Sequence, residues 1–344
     1  MSSPTDIEGG GRSGVVDGGP EPDTKTGTVT VEGRSPGRLM WIRFKRDRTG
    51  VISAFVVAFF FLVAAAAPLI AKLYGKNPYT VYADVRPELF DSAGVPVQPN
   101  GGISSEFWFG LEPGNGYDVF TKLIYGIRTS LMISLAVTVA VVLTGILLGV
   151  SAGYLGGKTD FFIGRIIDFL LAFPSQLFFI ASMPVVVSLF VNPRDQTPTY
   201  VRVVALIVVQ WVLGWMSLAR ILRGTTLALR EREFIEAARV SGASPWRIIR
   251  KEILPNVVTP LLVQTTYILP SFVTIEAGLS FLGVGIVEPT PDWGQMFSKA
   301  STELVLQNDI TYMFFPGVSM VVFVVAFNLL GDSVRDAFDP KTAR

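Results

Sequence analysis

The chain has 344 residues, 50% hydrophobic and only 17% charged, with a mean hydropathy of +0.47, which is too apolar for an ordinary soluble domain of this length. Its formal net charge of +1 gives no bulk attraction for nucleic acid. Cysteine and histidine are both absent, which excludes disulfides, cysteine-based metal sites and nucleophiles, and every Ser-His or Cys-His arrangement; carboxylate-only chemistry stays open.

Residues 1–37 are rich in Gly, Ser, Thr, Pro and Asp and contain no apolar run. They are expected to form a disordered tail and not a cleavable signal peptide. Crossing a bilayer takes roughly 20 apolar helical residues. Runs of that kind fall at 51–73, 130–154, 162–191, 201–222, 253–287 and 310–331, so about six transmembrane helices are expected in an all-α, polytopic protein. The second run carries no charge. The third carries Arg165 and Asp168 near its start, and Pro174 is expected to kink it. The fifth is long and contains Pro255, Pro260 and Pro270, so a kinked helix followed by a re-entrant or interfacial piece is expected.

Charge sets the orientation. With the N-terminus inside, 21 of the 29 lysines and arginines fall on inside segments, as the excess of basic residues in cytoplasmic loops requires. The cluster Arg43, Lys45, Arg46 and Arg48 stands directly before the first run. Both termini and the loop between the fourth and fifth runs are then cytoplasmic, and Asn100 and Trp293 lie on the outer side. The first outer loop, about residues 74–127, carries turn residues such as Asn77-Pro78 and Asn100-Gly101-Gly102.

The inside loop 227–256, LALREREFIEAARVSGASPWRIIRKEILPN, reads as two short helices at an angle. Gly242 ends the first, where the backbone must turn left-handed. Ser244 caps the second and Pro245 occupies its first position. Small residues at the bend with charges around them make a knob suited to a partner's groove; a plain solvated basic loop has the same composition.

Three other features carry a possible chemistry. AGYLGGKT, residues 152–159, fits a loose phosphate-loop pattern, but it follows an uncharged membrane run where a true one follows a β-strand, and it reads as a tight inside turn. Glu276 lies within the fifth run and Asp168 near the start of the third. Ionisable groups there usually face the bundle interior or water; both are candidates for the solute path, with structural pairing as the alternative, for Asp168 with Arg165.

The segment EAARVSGASPWRIIRKEILP resembles the EAA motif of inner-membrane permeases of ABC importers, with Glu236, Ala237, Ala238, Gly242, Leu254 and Pro255 at its positions. Glu252 departs from it, standing where the pattern has an apolar residue. Residues 116–131, 153–175, 276–296 and 328–340 resemble signatures of the C-type permeases of dipeptide, oligopeptide and nickel importers. The outer stretch FWFGLEPGNGY departs from them at Phe107, Leu111 and Tyr117.

This resemblance implies a type I ABC importer permease fold. The N-terminal region, 38–126, would hold the first span and external loop. The permease domain, 127–332, would carry the coupling loop 227–256, and 333–344 would form a cytoplasmic tail. It further implies a non-catalytic subunit in the inner membrane of a prokaryote. A homologous second permease would complete the pathway. Two cytoplasmic ATPase subunits would bind ATP and Mg and hydrolyse the nucleotide, and an extracytoplasmic solute-binding protein would deliver substrate. No cofactor or metal is expected in this chain. Peptides are the expected substrate class, with nickel complexes or oligosaccharides as alternatives. A self-contained channel or secondary transporter would need no inside knob, and a membrane enzyme would need a reactive cluster that the sequence does not show.

Overall fold

The computed structural model describes residues 36–192 and 194–338. The expected tail, 1–37, lies outside the described residues except for its last two, as does the end of the chain from 339. Among the described residues the fold is helical. Helix α1, Pro36–Arg46, carries the basic cluster, and α2, Arg48–Tyr74, is the first long apolar helix. A long loop follows to Asp118. Then come α3, Val119–Leu155; α4, Gly157–Leu171; α5, Ser175–Ser188; and α6, Thr199–Arg230. The knob contains α7, Glu233–Val240, and α8, Pro245–Ile248, and a π-helical turn, Ile249–Ile253, leads into α9, Leu254–Phe281. Two short helices, α10 at Trp293–Ala300 and α11 at Glu303–Asn308, precede α12, Thr311–Phe338.

Among the described residues five helices are long and apolar enough to cross a membrane, and the pair α4 and α5 makes a sixth crossing if counted as one. The third run, expected at 162–191 with a kink at Pro174, is broken there into these two helices, bent by 89°. Pro174 lacks an N–H and pushes Phe173 away from helical geometry. Each half is about 22 Å long, short of the ~30 Å hydrocarbon core. Conversely, α3 is longer than its expected span. Asp118 caps it by accepting from the Thr121 N–H at 2.7 Å, so the helix starts well before the uncharged run. The last helix runs on past the expected start of the tail at 333.

Among the described residues three large apolar clusters pack the helices, and a small fourth, Tyr82, Phe107 and Leu111, sits in the long loop after α2. One joins α2, α3, α9, α10 and α12 around Phe60, Leu131, Trp293, Tyr312 and Phe323. A second joins α3, α4, α5, α6 and α9 around Val137, Met183, Leu206 and Met216. The third, around Leu222, Ile235 and Ile253, seats the knob. The α3–α6 contact is set by Gly145, Gly149 and Gly153, spaced one turn apart. A Cβ at Gly149 would stand 2.6 Å from the Ala219 carbonyl oxygen, so only glycine permits this approach.

The connections sort to two ends. Residues 75–118 and 282–310 share contacts at one, including Asn115 Nδ2 donating to Glu288 at 3.0 Å. The residue 154–157 turn and the knob share the other, where Arg230 Nη1 donates to the Tyr154 carbonyl at 3.4 Å.

Candidate functional site

The knob is built from its turn outward. Helix α7 ends with Ser241 as its cap, and Gly242 follows with φ +77°. The Gly242 N–H donates to the Arg239 carbonyl at 2.9 Å and the Ala243 N–H to the Ala238 carbonyl at 3.0 Å. This is the paired 5→2 and 6→1 closure that satisfies a helix C-terminus. Ser244 Oγ then accepts from the Arg247 N–H at 3.4 Å, with Pro245 in the first turn. The bend is thus specified by Ser241 to Pro245.

What anchors the knob is apolar. Ile235, Ile248 and Ile253 are fully buried against Val150, Tyr154, Leu218 and Leu222 of α3 and α6; each such burial stabilises by roughly 1.5–3 kcal/mol. Ile248 and Ile253 are five residues apart, and the π turn brings both to the buried side where an α-helix would separate them by about 140°. The Leu254 N–H bonds the Ile249 carbonyl, and Pro255 next to it has no N–H to give. Glu252, the departure from the EAA pattern, is half-buried at the edge of this turn. The Arg239 guanidinium sits 5.6 Å from the Tyr154 ring centroid.

The outward side of the knob is different. Phe234 is 42%, Trp246 67% and Val240 86% exposed. Glu236 and Ala237 are exposed with them, while Ala238 and Leu254 are half-buried and Pro255 exposed at the base. No hydrogen bond or ion pair among the described residues holds the Glu236 carboxylate.

At the opposite end lies a buried polar cluster. Glu276 of α9 and Asp292 before α10 are both fully buried. Ser280 Oγ donates to Glu276 Oε1 at 3.1 Å, and Asp292 Oδ1 caps α10 by accepting from the Gln295 N–H at 2.6 Å. Glu276 Oε2, Asp292 Oδ2 and both polar atoms of the Gln295 side chain have no hydrogen-bond partner among the described residues. Burial pushes the Asp292 carboxyl above the ordinary aspartate range. Beside it, Lys122 Nζ lies 2.6 Å from Glu112 Oε2 and 3.5 Å from Glu288 Oε1.

The residues picked out from sequence therefore separate. Glu236, Ala237, Ala238, Gly242, Leu254 and Pro255 gather on the knob; Glu276 lies at the other end, packed inside the chain. Asp168 is on α4, 62% exposed, and pairs with Arg220 of α6 at 2.6 Å. That corrects the expected pairing with Arg165, whose guanidinium lies over the Phe161 ring on its own helix. Residues 152–155 are helix and Gly156–Gly157 a turn into α4, so the strand of a phosphate loop is not there. Sequence reading passed over Asp292, Glu112, Lys122 and Tyr312. For Asp292 a signal existed: Asp-Trp-Gly-Gln has the spacing of a capping box.

The fold defines a polytopic helical membrane protein. Residues 145–344 match the family described as binding-protein-dependent transport system inner membrane component, and residues 35–90 match the N-terminal TM domain of oligopeptide transport permease C. The dipeptide transport system permease protein DppC of Alkalihalophilus pseudofirmus is 32% identical over 94% of this chain and 95% of its own length. DppC of Bacillus subtilis is 34% identical over 88% and 85%, and the glutathione transport system permease protein GsiD of Escherichia coli O6:K15:H31 is 34% identical over 90% and 91%. A chain of the inward-facing MetNI methionine ABC transporter shares the fold, with TM-score 0.50 and 21% identity over 63% of this chain and 96% of that one. The chain belongs to the family of binding-protein-dependent transport system inner membrane components, and is a multi-pass permease subunit of an ABC importer.

Proposed function

We propose that this chain forms half of a pathway for short peptides and couples it to ATP hydrolysis through the knob, without catalysing a reaction itself. The observation that carries the coupling reading is the two-sided knob: three buried isoleucines fix it to α3 and α6, while Phe234, Val240 and Trp246 stand exposed opposite them. An anchored element with an apolar outer side fits a groove in a partner. Two cytoplasmic ATPase subunits would bind ATP and Mg, and ATP binding would bias a bundle with two arrangements. A homologous permease would supply the other half of the path, and an extracytoplasmic binding protein would deliver solute. Glu236, with an unpaired carboxylate, would contact the ATPase; Gly242 would set the angle of approach; Ala237 and Ala238 would allow close contact; Leu254 and Pro255 would join the knob to α9.

The basic residues of α1 and of residues 220–251 support a cytoplasmic placement for the knob end and both termini, in the inner membrane of a prokaryote. The exposed Asp168–Arg220 pair supports a place for Asp168 on the solute path; the complete burial of Glu276 supports a structural role there. The dipeptide and glutathione transport named for the relatives supports short peptides as solutes.

Capture of the two ATPase subunits by the full chain, with peptide-stimulated hydrolysis in proteoliposomes, tests the coupling. Failure of both with a folded chain would refute it. Orientation is tested separately: Ser105→Cys, in a chain with no native cysteine, should react with an impermeant thiol reagent in intact cells. Reaction only after permeabilisation would reverse the topology.

A further inference from the structure

Helix α1 carries four basic residues, Arg38, Arg43, Lys45 and Arg46, and no acidic one. Arg38, Trp41 and Lys45 fall within about 60° of one another around its axis. All three are exposed, Trp41 to 52%. The Lys45 ammonium stands 5.0 Å from the Trp41 ring centroid, and that ring lies parallel to the Phe44 ring at 6.0 Å. Arg38, Lys45, Arg46 and Arg48 form no ion pair among the described residues. Across the helix, Met40, Arg43 and Phe44 are half-buried, and α1 packs against α2 and α12. Its joint holds it there. Asp47 leaves helical geometry with ψ 106° and caps α2 by accepting from the Thr49 N–H at 3.0 Å. A Cβ at Gly50 would stand 2.6 Å from the Ser333 Cβ of α12, so α2 starts hard against α12. The exposed stripe therefore stands where the first long apolar helix begins.

We propose that this stripe binds the headgroups of anionic phospholipids at the membrane surface. Guanidinium and ammonium groups without an internal partner take phosphate oxygens in charge-assisted hydrogen bonds. A tryptophan among them belongs at headgroup level, where one end of the indole is apolar and the other wet. A basic helix joined directly to a spanning segment lies in the interface plane, and its cations are drawn to negative lipid. A zwitterionic headgroup would set its own cation against the stripe. An orientation signal alone needs charge, and makes no demand that Arg38, Trp41 and Lys45 share one exposed face. The surface is independent of the solute and of the knob.

The test uses the full chain, which has no native cysteine, with a fluorescent donor on Gly37→Cys, where a Cβ meets no atom within 4 Å. The chain is reconstituted into phosphatidylcholine vesicles containing about 30% phosphatidylglycerol. Energy transfer is measured to a trace of phosphatidylglycerol or of phosphatidylcholine, each with the same acceptor on an acyl chain. The anionic tracer should be enriched beside α1 about fivefold, the effect of one basic side chain on one charged headgroup. Arg38→Gln with Lys45→Gln should at least halve that ratio, and Arg38→Lys with Lys45→Arg should keep it. Salt at about 0.5 M should shrink it in the chain with both native residues. Arg43, Arg46 and Arg48 stay in every variant to hold orientation, and both leaflets have the same lipids, so the result does not depend on which side α1 faces. Equal transfer to the two tracers, enrichment undiminished by the glutamine pair, or enrichment unmoved by salt would each overturn the proposal.

Discussion

Tyr312, on the last described helix, donates a hydrogen bond of 2.7 Å to Glu112 in the loop between α2 and α3, 200 residues earlier. The same carboxylate oxygen receives the Lys122 ammonium at 2.6 Å, and all three side chains are buried. The loop between α2 and α3 is thereby fixed to both α3 and α12. Removing one partner of a buried ion pair strands the other's charge, at about 3–5 kcal/mol. Lys122→Met should therefore destabilise the outer end by that order and expose residues 75–118 to protease. The double variant Lys122→Met with Glu112→Gln should recover much of the loss. Thermal unfolding in detergent and limited proteolysis read both effects, and a double variant no better than the single would show that the pair is not what holds the loop.

The Asp292 carboxyl makes the same region sensitive to pH. Its burial raises it above the ordinary aspartate value, so in the folded chain it holds its proton at pH values where the unfolded chain has lost it. Stability from this group is present below the unfolded value, about 3.9, and is lost as pH rises toward the raised folded value. Asp292→Asn keeps an acceptor for the Gln295 N–H and removes the charge. The variant should be more stable than wild type at pH 8, with a flatter pH dependence of the melting temperature. The groups facing this site include Glu276, Ser280, Ser130 and Lys122. A parallel pH profile in Asp292→Asn would assign the dependence to Glu276 instead.

Gly242→Val isolates the turn. A Cβ there meets no atom within 4 Å, so the cost is one of backbone alone, about 1–2 kcal/mol for a left-handed residue. Val should leave membrane insertion intact, re-aim α8 and weaken both ATPase capture and peptide-stimulated hydrolysis. Gly242→Asn, which tolerates this conformation better, should lie between. Normal coupling in Gly242→Val would leave 227–256 as an ordinary solvated loop.

Trp246→Ala tests the outer side of the knob without touching its anchor. Trp246 is 67% exposed, so its loss should change the melting temperature little. An interface anchor of this kind carries about 2 kcal/mol or more of binding, and ATPase capture should weaken roughly thirtyfold. Undiminished capture, measured by titration against purified ATPase subunits, would place the contact elsewhere on the knob.

Local chemistry was legible in the sequence where it is decided within a few residues. The Gly242 turn and the Ser244-Pro245 start depend on neighbours less than a turn away. Pro174 marked a disturbance in the third span, but its size depends on packing of α5 against α6, which no local pattern encodes. Pairings over distance were hidden. Asp168 has Arg165 one turn away on its own helix, yet binds Arg220, 52 residues on, because α6 passes beside α4. Glu276 looked like a lone intramembrane charge. Its companion Asp292 reaches it only because the chain turns back after Phe281 and sets α10 against α9.

The glycine-lined contact between α3 and α6 has a mechanical meaning. With no side chain between them at Gly149, the two helix backbones meet directly, so a tilt of one would carry the other with it. The lower end of the pair holds the knob through Tyr154 and Leu222; its upper end holds Lys122 and Ser130. Helix α3 has 37 residues, a length of about 55 Å, over which each degree of tilt at one end displaces the other by about 1 Å. If the proposed coupling rocks the knob by a few degrees, the far end of α3 would shift by a few ångströms, about the width of an amino-acid side chain.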